Sequence, residues 1–118
     1  MLARLSDIDD DGYLSVNGTM VAEAHTSKNP PGTDTQWVDV TNNLIKGKNL
    51  LEFKLHNGNL GGWGGRLQIS AGDLQYDSTT LTKNACPCDA DVLKISVSIV
   101  VGNDGTIEQI EAQPVNYF

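Results

Sequence analysis

The sequence predicts an all-β fold: a two-sheet antiparallel sandwich or jelly roll of about seven or eight strands. Three observations predict it. Apolar residues recur with period two, most clearly over Leu50–His56 and Val92–Val101. Turn signals separate the alternating runs, among them Asn17-Gly18, Pro30-Pro31-Gly32 and Asn103-Asp104-Gly105. Hydrophobic residues are 39% of the chain and charged residues 19%, a balance that suits strands joined by turns better than a helical bundle. The 118 residues are one domain's worth of chain, so residues 1–118 are read as one sandwich.

The elements follow in order. Tyr13–Val16 is a strand with Leu14 and Val16 on one face. Asn17-Gly18 turns it back, because both residues tolerate positive φ. Met20, Ala22 and Ala24 then line one face of the returning strand. Residues 25–36 are a polar loop, where Pro30-Pro31-Gly32 excludes helix and central strand. Trp37–Val40 is a short strand, with Trp37 a structural residue at its start. Asp39 or Thr41 caps the turn that follows, and Gly47 ends it. Leu50–His56 points Leu51, Phe53 and Leu55 inward. Arg66–Ser70 does the same with Leu67 and Ile69, after the glycine-rich segment Asn57–Gly65. Ala71–Ala90 is less regular and reads as a crossover between sheets. Val92–Val101 alternates Leu93, Ile95, Val97 and Ile99 with polar residues. The last strand, Thr106–Gln113, breaks phase between Ile107 and Ile110, the mark of a bulge or an edge, and Pro114 ends it.

The formal charge of -7 argues against nucleic acid and anionic membrane, which need a basic footprint. Neutral ligands, cations and proteins remain, a second copy of the chain included. No apolar run is long enough to span a membrane, and no signal peptide opens the chain. The acids are densest at Asp7, Asp9, Asp10 and Asp11, where like charges repel unless water or a cation sits among them. If successive strands run up and down, this acidic loop, the Pro-Pro-Gly loop and the Gly/Trp loop share one end of the sandwich. The other end then carries only tight turns. Function on β-sandwiches tends to sit on such clustered loops.

The order DDDGYLSVNG, WVDVTNNLIKGKNLLEFKLHNG, GGWGGRLQIS resembles the galactose-binding-like jelly-roll domains that accompany glycoside hydrolases of the β-galactosidase and β-glucuronidase type. The residues that carry the resemblance are Asp9–Asp11, Val16-Asn17-Gly18, Asp39-Val40-Thr41, Leu44, Gly47, Asn49, Leu50 and Asn57. They are turns, caps and core positions over residues 7–70, so the resemblance supports the fold far better than it supports any ligand. Two features depart from the pattern. Only Met1–Ser6 precedes the acidic loop, and residues 92–113 form an additional hairpin. That hairpin is expected to fill the sheet positions that N-terminal strands take in the family. The alternative is strand exchange between subunits.

Candidate sites each have an opposing plain reading. Asp7-Ile8-Asp9-Asp10-Asp11-Gly12 matches the opening of a calcium loop, with Asp7, Asp9 and Asp11 as ligands. The twelfth position is Gly18 where an EF-hand needs Glu, so only a non-EF calcium site is compatible; the alternative is a solvated acidic turn. Trp63 stands between Gly61-Gly62 and Gly64-Gly65, so an exposed indole could stack on a sugar while Asn57, Asn59 and His56 bond its hydroxyls. The alternative is a Trp folded over the end of the core. Cys86-Pro87-Cys88 lacks the further ligands of a zinc site, and a bond across one Pro would be strained, so free thiols or a bond to another chain are expected. No Gly-x-Ser-x-Gly, His-Glu-x-x-His or phosphate loop is present, and no carboxylate pair stands out. The expected function is a non-catalytic carbohydrate-binding module with Trp63 as platform. The second is a structural or assembly domain of a cell-surface or virion protein, and an enzyme comes last.

Overall fold

The computed structural model describes residues 1–25, 35–58 and 61–118. The chain is an all-β, two-sheet antiparallel sandwich, compatible with a jelly roll. Its described residues form β1 (Leu2–Asp9), β2 (Asp11–Val16), β3 (Thr19–His25), β4 (Val38–Asp39), β5 (Gly47–Asn57), β6 (Trp63–Ala71), β7 (Leu74–Asp77), β8 (Leu81–Lys83), β9 (Ala90–Val101), β10 (Ile107–Ala112) and β11 (Asn116–Tyr117). A 3-10 turn, Thr41–Asn43, follows β4. One sheet has the order β4-β1-β6-β7, with β8 also on β6; the other has the order β10-β9-β5-β2-β3, with β11 also on β9.

Period-two alternation makes the core. Leu51, Phe53 and Leu55 of β5 and Leu93, Ile95, Val97 and Ile99 of β9 are fully buried from one sheet. They meet Ala3, Leu5, Leu67 and Ile69 from the other. The β5–β9 ladder runs from Gly47↔Val101 to Asn57↔Ala90, so the C-terminal hairpin does pair with a strand of residues 7–70. The expected bulge in the last strand is present, as a register shift between Ile107 and Gln109.

The far end is a polar knot. Asn17 and Gly18 have φ of 51° and 82°, as a two-residue hairpin turn requires. Asn17 Nδ2 donates to Asn49 Oδ1 (2.8 Å) and Asn43 O (3.2 Å). Asn49 is buried, and its amide bonds Ile45 on both sides, N–H to Oδ1 and Nδ2 to C=O, each at 2.8 Å. Asp39 Oδ1 accepts from the Thr41 N–H (3.0 Å) and Thr41 Oγ1 (2.6 Å), which closes the turn after β4.

Four expectations change. The strands number eleven among the described residues, because β1 and the short segments β7, β8 and β11 find partners that no strong alternation announces. The acidic segment does not precede the first strand: it joins β1 to β2 and passes the chain from one sheet to the other. Ile8, inside the acidic run, is fully buried and anchors that passage. Met20 does not share a face with Ala22, because Val21 is bulged out between the pairs Leu14↔Ala22 and Ser15↔Met20; Met20 is 55% exposed. Residues 71–83 are not a crossover, since β7 and β8 both pair with β6; the passage between sheets falls at 84–89.

Candidate functional site

The acidic β1–β2 junction and the start of β6 meet at one end of the sandwich, where Asp9 pairs with Gly64. Asp10 Oδ2 accepts from the Gly58 N–H (2.6 Å), which ties the same junction to the end of β5. The expected convergence of the Asp and Gly/Trp segments is therefore present. The Pro-Pro-Gly turn lies outside the described residues.

A shallow depression of about 320 Å³ opens here. Its acidic wall is Asp7 and Asp9, Trp63 lies between Gly62 and Gly64, and Thr82, Lys83 and Asn84 complete the rim. Asp7 Oδ2 accepts from Thr80 Oγ1 (2.6 Å), which links β1 to the segment before β8. Burial pushes the Asp9 carboxyl above the usual range, and a hydrogen bond with Asp10 and the Asp10 charge push it further. The site thus holds closely spaced oxygens, one Lys and two Thr around an indole, an arrangement suited to hydrogen-bonding a polar ligand.

Trp63 is not an exposed platform. It is 4% exposed and belongs to the core, 6.2 Å from the Tyr117 ring. Gly64 and Gly65 are not a free loop either, because they lie inside β6. A Cβ on Gly65 would stand 2.8 Å from both Leu55 methyls, so this glycine lets β6 approach β5 closely. Of the glycines beside Trp63, Gly62 has the positive φ, 97°.

The other expected ligand residues do not join Trp63 in one site. Asn57 continues the inward phase of Leu51, Phe53 and Leu55 and is fully buried. Its Nδ2 donates to Pro87 O (2.8 Å). His56, one residue earlier, takes the opposite face by strand alternation, with Nδ1 3.1 Å from Asp91 Oδ1. Neighbours in a strand cannot share a face, so these two never act together. Asn59 lies outside the described residues.

The acidic run is divided in the same way. Asp7 and Asp9 face the depression. Asp11 lies on the outer face of the six-stranded sheet, 2.7 Å from His25 Nδ1, while His25 Nε2 is 3.4 Å from Glu23. The bond to Asp11 raises the His25 pKa above its ordinary value, against a smaller opposing effect of burial. Among the described residues, no group of three or more His, Cys, Asp or Glu side chains is arranged to hold a metal ion.

Cys86 and Cys88 are joined to each other by a disulfide, contrary to the expected free thiols or bond to another chain. Their Cα atoms are 4.6 Å apart, within the reach of such a bond. The turn presents Pro87 O to Asn57, and the Asp89 N–H bonds Gly58 O (2.7 Å), so this segment braces the same end of the molecule. Nothing in the sequence marked Thr80, Thr82, Lys83 or Asn84, which reach the depression only because β8 pairs with β6.

Comparison of the chain with protein families, with curated proteins and with solved structures finds no match.

Proposed function

We propose that this sandwich is a non-catalytic saccharide-binding module of the galactose-binding-like type, with its ligand at the end where the acidic junction meets β6. One observation carries the reading: the depression in which Asp7, Asp9, Thr82, Lys83 and Asn84 converge around Trp63. Carboxylate, amide, hydroxyl and ammonium groups at close quarters suit the many hydroxyls of a sugar. The indole borders the site without stacking on it, so polar contacts carry the binding. An open depression implies weak affinity per module, strengthened by multivalent display. The non-catalytic part of the reading rests on the sequence, in which no carboxylate pair stands out. Calcium belongs to the proposal only through Asp7 and Asp9, since Asp11 is turned to His25.

The test is titration of the purified chain with neutral glycans, following tryptophan fluorescence and calorimetry. Saturable binding that Asn84→Ala and Asp9→Asn weaken supports the site. No binding across a glycan array, with a stable dimer or trimer by light scattering, refutes it and favours an assembly domain. A melting midpoint unchanged by chelator removes calcium.

A further inference from the structure

We infer that the outer face of the five-stranded sheet carries a second saccharide site, a platform built on Trp37 with Gln68, Ser70, Gln75 and Asp77. It takes its ligand class from the proposed function and its location from separate residues. The sequence makes Trp37 a structural residue, yet its side chain is 42% exposed. An indole left in water forgoes the burial that usually places Trp, unless a ligand covers it.

The chain around Trp37 is held, so the ring has a set position. Two residues before it, the Thr35 N–H donates to Leu5 O (2.8 Å) and Thr35 Oγ1 accepts from the Leu5 N–H (3.0 Å). One residue after it, Val38 pairs with Ala3 in the β4–β1 ladder. Trp37 is thus fastened to β1 on both sides, on an ordered edge of the sheet.

Beside the ring is a depression of about 180 Å³. The polar residues that line it form a two-by-two array, because Gln68 pairs with Asp77 and Ser70 with Gln75 across β6 and β7. Alternation puts them on the face opposite the buried Leu67 and Ile69. Directly opposed pairs stand about 5 Å apart, so one array can reach several hydroxyls of one sugar ring. The Ser70 hydroxyl and the Gln75 amide have no hydrogen-bond partner among the described residues. Gln68 Oε1 accepts from Ser6 Oγ (3.0 Å), which leaves its NH2 group to donate outward.

Polarity then selects the ligand. Arg66 grips Asp77 with Nε on Oδ1 (2.9 Å) and Nη2 on Oδ2 (2.5 Å), and this pair holds the Asp77 carboxyl below the usual carboxylate range. With the ion pair made, the four-residue array itself has no net charge, and Arg4, directly opposite Gln68 on β1, is the charged group beside it. An apolar ligand would strand the amides. An aromatic face beside neutral donors and acceptors fits a neutral pyranose, stacked by its C–H face and bonded by its hydroxyls. The depression is smaller than the about 300–1,000 Å³ of a drug-sized pocket, so the ligand is one ring or a chain crossing the sheet.

The test uses the full chain, an array of neutral glycans including galactose, N-acetylglucosamine, soluble glucan and xylan, and four proteins: wild type, Trp37→Ala, Gln75→Ala and Asn84→Ala. Thermal melts confirm that each is folded, and Gln75→Ala keeps the test open if Trp37→Ala is not. The expected result is a retained glycan whose binding falls about ten-fold or more in Trp37→Ala. Gln75→Ala should also weaken it, while Asn84→Ala removes only the separate binding component of the end site. Binding lost only in Asn84→Ala overturns this platform and leaves the end site standing. Binding lost only in the Trp37 and Gln75 variants overturns the end site and leaves the platform. No retained glycan in the wild type overturns both.

Discussion

Asn49→Ala should destabilise the sandwich more than any exposed substitution near it, although Asn49 touches no candidate site. The side chain is 4% exposed and sits where three segments meet. Its Oδ1 accepts from Ile45 N (2.8 Å) and Asn17 Nδ2 (2.8 Å). Its Nδ2 donates to the carbonyls of Ile45 (2.8 Å), Gly47 (3.1 Å) and Ile99 (3.3 Å). Ile45 and Gly47 are exposed, so water recovers part of what they lose. At about 1 kcal/mol net per bond, the two short Ile45 bonds and the Asn17 bond together contribute about 2–3 kcal/mol. For a domain of this size that is a fall of roughly 8–12 °C in melting temperature. Urea unfolding of wild type, Asn49→Ala and the exposed control Asn42→Ala measures it, with the midpoint moving at constant slope. Asn49→Asp sharpens the test. Its carboxylate would face three carbonyls, so its folded pKa is raised, and the variant should regain stability as pH falls and the acid becomes a donor. A loss for Asn49→Ala no larger than for Asn42→Ala would refute the reasoning, because the amide would then hold nothing together.

Three further outcomes follow from the geometry. Gly65→Ala puts a methyl 2.8 Å from both Leu55 Cδ atoms and 3.1 Å from Phe53 Cζ, and should cost about 1–3 kcal/mol. Gly61→Ala meets nothing within 4 Å and is its control; equal melting temperatures for the two would contradict the packing argument. Trp63 Nε1 is buried with no acceptor among the described residues. Trp63→Phe should therefore cost far less than Trp63→Ala, for which about 3–5 kcal/mol is usual, and similar losses would mean that the indole N–H has a partner. The raised His25 pKa means that its bond to Asp11 contributes fully below the ordinary value of 6.5 and fades as pH rises through the folded pKa. The stability difference between wild type and His25→Gln should shrink between mildly acid and mildly alkaline pH; a flat difference would contradict it.

Fold class, the inward faces of β5, β6 and β9, the Asn17-Gly18 turn and the bulge in β10 were legible in the sequence. They rest on local rules, side-chain alternation and turn chemistry, that act within a few residues. The same rule extended by one residue would have turned Asn57 inward and separated it from His56. β1 and β8 were not legible. Both take their pairing energy from β6, which is far along the chain from β1; the alternation of β1 is broken by acids and β8 is only three residues long.

Where function can sit was decided by tertiary structure. Glycines on either side of Trp63 read in sequence as freedom for an exposed ring. In the fold Gly65 is the close approach of β6 to β5, and the ring is buried. Trp37 read as structural, and in the fold it stands exposed beside two amides from strands some thirty to forty residues away along the chain. Sequence determines which face a side chain takes along its own strand. It does not determine which sheet covers that face, because that cover comes from long-range partners, and burial of an aromatic ring is the free energy of that cover.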